Sequence, residues 1–215
     1  LKESINTQKG YPPLIRNLTT NQADTIPFVT NYTFAKEGMV LSYSTTGLKD
    51  SINPGIYIKN LKTNSSKQIH ISHEKTKYFK LNLSNSGDKL AFVKDADSTK
   101  TYQRPYELYL WDSSQKNSKL ILDMDSSPDG YKVSPYGDIK FSKNESKLYF
   151  GLGLPEIVQD TLLLDEEIVN VEVWTYDEPR LYTVQEKQIE NDMKKSFQTV
   201  YHIKDDKLIQ IATKE

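Results

Sequence analysis

The 215-residue sequence has no cysteine, which excludes a disulfide framework, a thiolate zinc site and a cysteine nucleophile. It has no basic excess either, since 28 Lys and Arg stand against 29 Asp and Glu, so we expect no nucleic-acid partner. No apolar run approaches the roughly 20 residues of a membrane-spanning helix, so we expect no membrane partner. The first residues, Leu1–Ser4, lack an initiator methionine and the apolar stretch of a signal peptide. We therefore expect a processed or excised piece of a longer protein.

Aromatic residues are plentiful, with 14 Tyr, 7 Phe and 2 Trp, and this composition favours β-strands. Apolar residues alternate with polar ones in short runs that are bounded by turn-forming residues, which is the pattern of half-buried strands. The clearest runs are 56–61 (IYIKNL), 90–93 (LAFV), 108–111 (LYLW), 148–150 (LYF), 171–176 (VEVWTY) and 208–212 (LIQIA).

The order of these runs repeats three times. In each unit a strand, a polar turn and a second strand are followed by a third strand, a short polar turn and a fourth strand. The predicted third strands contain 56–58, 108–110 and 171–173. A period of roughly 50 to 60 residues has the size of a propeller blade with long loops. A mixed β-sandwich is the alternative, and it explains the strands but not their repeated order.

We therefore predict an all-β fold, a partial β-propeller of three to four four-stranded antiparallel blades with one short helix inserted in the last blade. A single four-stranded sheet cannot bury both faces, so neighbouring blades must cover it. The predicted divisions are a lead-in or partial blade (1–27), two blades (28–74 and 75–126) and an elaborated blade (127–215) with an insertion at 154–168 and a helix at about 184–197. An open arc of blades exposes apolar faces and strand edges, which favours self-association.

The predicted helix rests on four apolar residues that fall roughly on one side, Val184, Ile189, Met193 and Phe197. The residues that follow, 201–212, read as a hairpin with two aspartates at its tip.

No catalytic residue can be assigned from the sequence. It contains no Gly-x-Ser-x-Gly nucleophile elbow and no His-Gly-Gly oxyanion loop. The three histidines are His70, His73 and His202, and none lies beside a nucleophile in sequence, although a triad assembled from distant loops stays open. His70 alternates with apolar neighbours on a strand, which predicts a solvent-facing side chain. The spacing of His70 and His73 does not place both rings on one face, so we predict no metal site and no cofactor.

One acidic loop resembles a calcium site, with Asp123, Asp125 and Asp129. A calcium loop needs a glycine at its sharp turn and a closing bidentate glutamate, and here Pro128 and Ser134 occupy those positions. A turn between blades explains the same residues.

Glu166 and Glu167 are the candidate substrate-binding residues, because paired carboxylates can bind a substrate ammonium group through charge-assisted hydrogen bonds. A solvated acidic turn before a strand is the alternative interpretation.

The repeats also resemble a known family. LSNSGDKLAFV (83–93) and YELYLWDSSQKNSKLIL (106–122) are similar to the blade motif of the propeller in prolyl oligopeptidase and dipeptidyl peptidase enzymes. FSKNESKLYFGLGLP (141–155) and the segments after it resemble the large bacterial members, many from Bacteroidetes. The likeness extends over roughly residues 28–213. Two turns depart from the motif, since 85–87 and 144–146 replace its Asp-Gly turns and the second lacks a glycine, which leaves its turn type open.

The resemblance implies a function for the whole protein and no chemistry for this chain. The family's Ser-Asp-His triad lies in a hydrolase domain that this sequence does not contain, and the paired glutamates of dipeptidyl peptidases do not match the context of Glu166 and Glu167. The implied role is a non-catalytic propeller that caps a C-terminal α/β-hydrolase domain and restricts entry to short peptides. Family members of this type are exported to the periplasm or cell surface. The alternative is a stand-alone propeller that binds peptides, glycans or partner proteins.

Overall fold

The computed structural model describes residues 10–47, 51–95, 101, 103–156, 177 and 179–214. The strands are β1 (Leu14–Arg16), β2 (Ala23–Thr25), β3 (Val29–Phe34), β4 (Val40–Thr45), β5 (Gly55–Asn60), β6 (Ser65–Ile71), β7 (Lys77–Leu83), β8 (Lys89–Asp95), β9 (Tyr106–Asp112), β10 (Lys119–Leu122), β11 (Lys132–Val133), β12 (Lys140–Phe141), β13 (Lys147–Gly153), β14 (Phe197–His202) and β15 (Lys207–Gln210). One helix, α1 (Tyr182–Met193), precedes β14. None of the described helical residues forms a segment long and apolar enough to cross a membrane.

The strands form three consecutive antiparallel sheets. Sheet 1 has the order β3-β4-β5-β6 and sheet 2 the order β7-β8-β9-β10. Sheet 3 has the order β11-β13-β14-β15, and β12 also pairs with β13, so its first strand is divided into two short pieces. A separate hairpin, β1–β2, precedes sheet 1. The prediction of an all-β, partial propeller built from four-stranded antiparallel blades is confirmed.

Alternation of side chains explains why the sheets stack face to face. On β8, Leu90 and Phe92 belong to the core between sheets 1 and 2, whereas Ala91 and Val93 belong to the core between sheets 2 and 3. Successive strand residues point to opposite faces, so an uninterrupted apolar run is needed where both faces are covered. Each fully buried aliphatic or aromatic side chain stabilises the fold by about 1.5–3 kcal/mol. Sheet 2 is therefore the centre of the described structure.

Neighbouring sheets also contact each other through the turns that join their first two strands. The Glu37 amide of the sheet 1 turn donates to the Asn85 carbonyl of the sheet 2 turn at 2.9 Å. The Glu145 carboxylate of the sheet 3 turn accepts hydrogen bonds from the Ser86 amide at 2.8 Å and the Ser86 hydroxyl at 2.9 Å. Glu145 has a φ of 55°, so a left-handed residue replaces the glycine that the sequence lacks here.

Two predicted elements differ from the structure. Helix α1 ends at Met193, and Phe197 is the first residue of β14, where it packs edge-on against Tyr131. The third strand of sheet 3 is β14, which pairs with β13 from Lys147 to Leu152, so the prediction that 171–173 holds this position is wrong. Residues 171–176 and most of the predicted insertion lie outside the described residues. The final hairpin is confirmed as β14–β15.

Candidate functional site

The candidate sites of the described residues lie toward one end of the stacked sheets, where β4, β8 and β13 end. We call this end the loop face, because the long connections between strands leave from it. The opposite end carries the short turns. On the loop face two kinds of site occur in the described residues: a cavity between the first strands of sheets 1 and 2, and buried polar clusters between neighbouring sheets.

The cavity has a volume of about 350 Å³. Its lining residues come from the start of β3, the end of β4 and the connection into β7, and they are Thr30, Asn31, Thr46, Glu74, Lys75, Thr76, Lys77, Tyr78 and Phe79. The Asn31 side-chain amide donates to the Tyr78 carbonyl at 2.7 Å and ties the two first strands together at its wall. A volume of this size suits a small ligand or one side chain of a partner.

His70 is the centre of a polar cluster between sheets 1 and 2, so the prediction that it faces solvent is wrong. The pairing of β5 with β6 shifts by one residue, because Ile56 pairs with His70 whereas Tyr57 pairs with Gln68. Ile69 is the extra residue of this β-bulge, and a bulge breaks strict alternation. As a result, Ile69 and His70 both face sheet 2, and Ile71 is exposed.

Aromatic rings enclose the His70 imidazole. Its centroid lies 4.6 Å from that of Tyr109, 5.2 Å from Phe92 and 6.0 Å from Tyr78, all with edge-on geometry. Burial, with a smaller contribution from the positive charge of Lys94, lowers the pKa of His70 to about 4. The imidazole is therefore neutral at pH 7 and a weak base.

The hydrogen bonds of His70 and its neighbour Ile69 connect sheet 1 to sheet 2. The Nδ1 atom of His70 lies 2.8 Å from the hydroxyl of Ser118, the residue that directly precedes β10. The Ser118 amide donates to the Ile69 carbonyl at 2.9 Å. Nε2 is buried without a hydrogen-bond partner in the described residues, as is the Tyr78 hydroxyl. A catalytic serine–histidine pair needs a group that orients the histidine and a base pKa near the working pH. Within the described residues His70 meets neither condition, and its contacts with Ser118 join sheet 1 to sheet 2.

Charged residues border the cluster at the end of β8 and the start of β9. The Lys94 ammonium lies 2.9 Å from a Glu107 carboxylate oxygen and 5.1 Å from the centroid of the Tyr109 ring. The Tyr109 hydroxyl donates to the same Glu107 oxygen at 3.0 Å, and burial together with the Glu107 charge raises the pKa of Tyr109 far above 10. Lys94 and Glu107 therefore form an ion pair that borders the aromatic rings around His70.

A second buried polar cluster lies between sheets 2 and 3. Arg104 binds the carboxylate of Asp95, whose side chain is 2% exposed, through Nε at 3.0 Å. Lys132 is buried against the Glu156 carboxylate and the Tyr106 ring. Burial, reinforced by the Asp95 charge, raises the pKa of Tyr106 to about 12. Opposite charges taken out of water must be paired, so both ion pairs fix the backbone around them.

These ion pairs hold the bases of two long connections. Asp95 ends β8 and Arg104 precedes β9, so their ion pair closes the connection between the strands. Lys132 of β11 binds Glu156, which follows β13, and the Gln103 side-chain amide donates to the Glu156 carbonyl at 3.0 Å. The bases of the two connections are therefore joined to each other on the loop face.

The structure leaves the predicted substrate-binding pair untested, because Glu166 and Glu167 lie outside the described residues. In the acidic loop, Asp123 accepts hydrogen bonds from the Ser126 amide at 2.9 Å and the Ser126 hydroxyl, which makes a self-capped turn. No group of three or more potential ligand side chains is arranged for a metal ion within the described residues. His73 is exposed, and His202 Nδ1 lies 4.0 Å from Asp205.

No protein-family model and no curated protein matches the chain. Several solved structures are similar to it at low identity. Tricorn protease is 11% identical with a TM-score of 0.48, over 96% of this chain and 25% of that one. An acylaminoacyl peptidase is 14% identical with a TM-score of 0.44, over 85% and 24%. The β-propeller domain of the Trilobed protease from Pyrococcus furiosus is 17% identical with a TM-score of 0.34, over 85% and 56%.

An oligogalacturonate lyase is also similar, at 10% identity with a TM-score of 0.44, over 92% of this chain and 40% of that one. The chain spans less than two thirds of the length of each of these structures. At these scores the likeness gives no argument about function. The fold assignment rests on the strand pairing and sheet packing of the chain itself.

Proposed function

We propose that this chain is a non-catalytic propeller segment of a prolyl-oligopeptidase-like serine peptidase. In this role it caps an α/β-hydrolase domain of the same parent protein and restricts access to short peptides. The observation that carries the proposal is the order of the strands: three stacked four-stranded units follow the same repeat in which the sequence resembles that family's propeller.

The loop face supports the capping role. Its connections leave from bases that buried ion pairs fix, Asp95 with Arg104 and Lys132 with Glu156. Ion pairs of this kind hold a surface in one geometry, which a domain interface requires. The environment of His70 supports the non-catalytic role, since its ring is enclosed by aromatic side chains and neutral at pH 7. In the proposed parent, Glu166 and Glu167 bind an ammonium group of the substrate, and the protein is exported to the periplasm or cell surface.

The first test is the reading frame of the parent gene beyond Glu215. A domain with a Gly-x-Ser-x-Gly elbow is the expected result. A frame that encodes no hydrolase would refute the proposal and leave the stand-alone binding module, for which the cavity between sheets 1 and 2 is the first candidate site.

The second test measures size selection in the parent protein. The intact parent should cleave short peptides and leave an unfolded protein such as casein uncut, whereas deletion of residues 10–214 should remove this discrimination. Equal cleavage of casein by the intact and the deleted protein would contradict the access role. Glu166→Gln with Glu167→Gln tests the binding role, with an expected increase in KM that disappears for substrates whose amino terminus is acetylated.

A further inference from the structure

The hairpin β1–β2 repeats the outer half of sheet 1. The amide of Ile26, just after β2, donates to the Pro13 carbonyl at 3.2 Å, and the amide of Ser72, just after β6, donates to the Pro54 carbonyl at 3.2 Å. Each proline directly precedes a strand, β1 or β5, and each donor follows the strand that pairs with it. The hairpin therefore corresponds to the third and fourth strands of a sheet that precedes sheet 1.

The surfaces under the two hairpins correspond as well. Sheet 1 presents a stacked pair, Tyr43 with Tyr57, at 5.4 Å and 6°. Sheet 2 presents the stacked pair Phe92 with Tyr109, at 5.3 Å and 6°, to the preceding sheet. Ile15 of β1 packs against the core that contains Tyr43, as Ile56 of β5 packs in the core that contains Phe92. The face of sheet 1 that points away from sheet 2 thus resembles the face of sheet 2 on which sheet 1 packs.

Only the outer half of that position is filled by the described residues. On sheet 2, Leu83 pairs with Leu90 and is 8% exposed, because Ala35 of the β3–β4 turn and Val40 of β4 pack against its core. On sheet 1, Phe34 pairs with Leu41 at the corresponding place and is 52% exposed.

Tyr32, two residues before Phe34 on the same face of β3, is 63% exposed. The two rings pack edge to face at 6.1 Å. In addition, β1 pairs with β2 on one side only, within the described part of the chain. An open strand edge beside two exposed aromatic rings is the arrangement that strand addition uses.

We propose that the edge of β1, together with Tyr32 and Phe34, receives a two-stranded β-hairpin from another part of the same parent polypeptide. This inference rests on the proposed function, in which the chain is one part of a larger propeller. The second strand of the incoming hairpin pairs antiparallel with β1 and completes a four-stranded sheet. Its side chains that face sheet 1 are small or aliphatic, as Ala35 and Val40 are against sheet 2.

A synthetic peptide of residues 29–46, which contains β3 and β4, serves as the probe. Ser44 pairs with Ile56 in sheet 1, so the corresponding register places Ser44 of the peptide opposite Ile15. Hydrogen exchange of the full chain, followed by mass spectrometry, should show new protection of amides in Leu14–Arg16. A fluorescently labelled peptide gives the affinity by anisotropy, and a peptide of scrambled sequence is the negative control.

Variants assign the binding to the proposed surface. Phe34→Asp and Tyr32→Ser should each weaken binding of the peptide at least tenfold, because they remove apolar contacts at exposed positions and leave the core intact. Leu120→Asp is the matched control on β10, at another exposed apolar residue, and should leave the affinity unchanged. Circular dichroism verifies that each variant is folded.

Three results would overturn the inference: no protection in β1, equal binding by the Phe34→Asp variant, or dimers of the full chain that Phe34→Asp abolishes. The last result would assign the surface to a second copy of this chain. Failure of the peptide test in a parent that does encode a hydrolase would remove this inference alone. A missing hydrolase domain combined with peptide binding would remove the proposed function alone.

Discussion

The contact between the Glu145 turn and Ser86 gives a sharp test of how sheets 2 and 3 are held together. Glu145→Ala removes a carboxylate that accepts two hydrogen bonds from Ser86, at 2.8 and 2.9 Å, and lies 3.9 Å from the Lys89 ammonium. Hydrogen bonds to a charged group stabilise a protein by about 1.5–3 kcal/mol each, and two that share one carboxylate are not additive. We expect the free energy of unfolding to fall by about 2–4 kcal/mol.

Glu145→Gly separates the lost contact from the backbone strain. A φ of 55° is unfavourable for a residue with a side chain by roughly 1–2 kcal/mol, and glycine avoids this penalty. The glycine variant should therefore be more stable than the alanine variant by about 1 kcal/mol and still less stable than the unmutated chain. Asn64, with a φ of 53° in the exposed β5–β6 turn, is the control, because glycine and alanine there change the strain alone.

The acid dependence of Glu145 provides a second measurement on the same contact. Burial favours the neutral carboxyl, but the hydrogen bonds from the Ser86 amide and hydroxyl outweigh it and lower the pKa of Glu145 below its usual 4.5. A lowered folded-state pKa gives stability that is complete above the unfolded pKa and is lost as the pH falls through the folded pKa. Urea unfolding at pH 7 and at about pH 3 should thus show a smaller effect of Glu145→Ala in acid. An unfolding free energy of the alanine variant within about 0.5 kcal/mol of that of the unmutated chain at pH 7 would refute the reasoning.

Three further predictions test other contacts. The lowered pKa of His70 means that the unfolded chain binds more protons than the folded chain between about pH 4 and 6.5, so stability should decrease as the pH falls through that window. His70→Phe should flatten this dependence in urea titrations, and an unchanged dependence would contradict the prediction. Glu156→Ala leaves the buried Lys132 ammonium without its carboxylate and should lower the free energy of unfolding by about 3–5 kcal/mol; an unchanged urea midpoint would contradict the role of this pair. A Cβ on Gly38 would lie 2.1 Å from the Ser86 carbonyl oxygen, so Gly38→Ala should destabilise by about 1–3 kcal/mol in thermal unfolding, with Lys36→Ala in the same turn as the unaffected control.

Sheet 2 could be predicted from the sequence because the apolar pattern of its strands and the glycine turn between two of them both indicate the same antiparallel pairing. The residues of β8 and β9 alternate between two buried faces, and the glycine turn between β7 and β8 places Gly87 at a φ of 86°. The third sheet shows the limit of periodicity. Residues 171–176 (VEVWTY) alternate apolar with polar residues more closely than β14 (FQTVYH) does, and only the pairing of β14 with β13 shows that β14 is the third strand.

The buried polar clusters could not be predicted, because they depend on contacts between distant residues. His70 and Ser118 are 48 positions apart, and Gln103 and Glu156 are 53 positions apart. The direction of the His70 side chain also depends on a bulge, which alternation alone cannot reveal. One signal was present in the sequence: Pro13-Leu14-Ile15 and Pro54-Gly55-Ile56 share their spacing, and each proline directly precedes a strand in the structure, β1 or β5.

That repeated signal favours the partial blade over the lead-in, the two interpretations predicted for residues 1–27. A short N-terminal hairpin is not stable alone in water, and β1–β2 is held by Ile15 and Ile26 in the core of sheet 1 and by the ion pair of Asp24 with the buried Lys59. These contacts are those of an outer blade half on its neighbour. The half that would cover Phe34 is not among the described residues, so the exposed rings and the open edge of β1 have one common cause. The proposed incomplete first blade accounts for both features, which the alternative of a lead-in segment leaves unexplained.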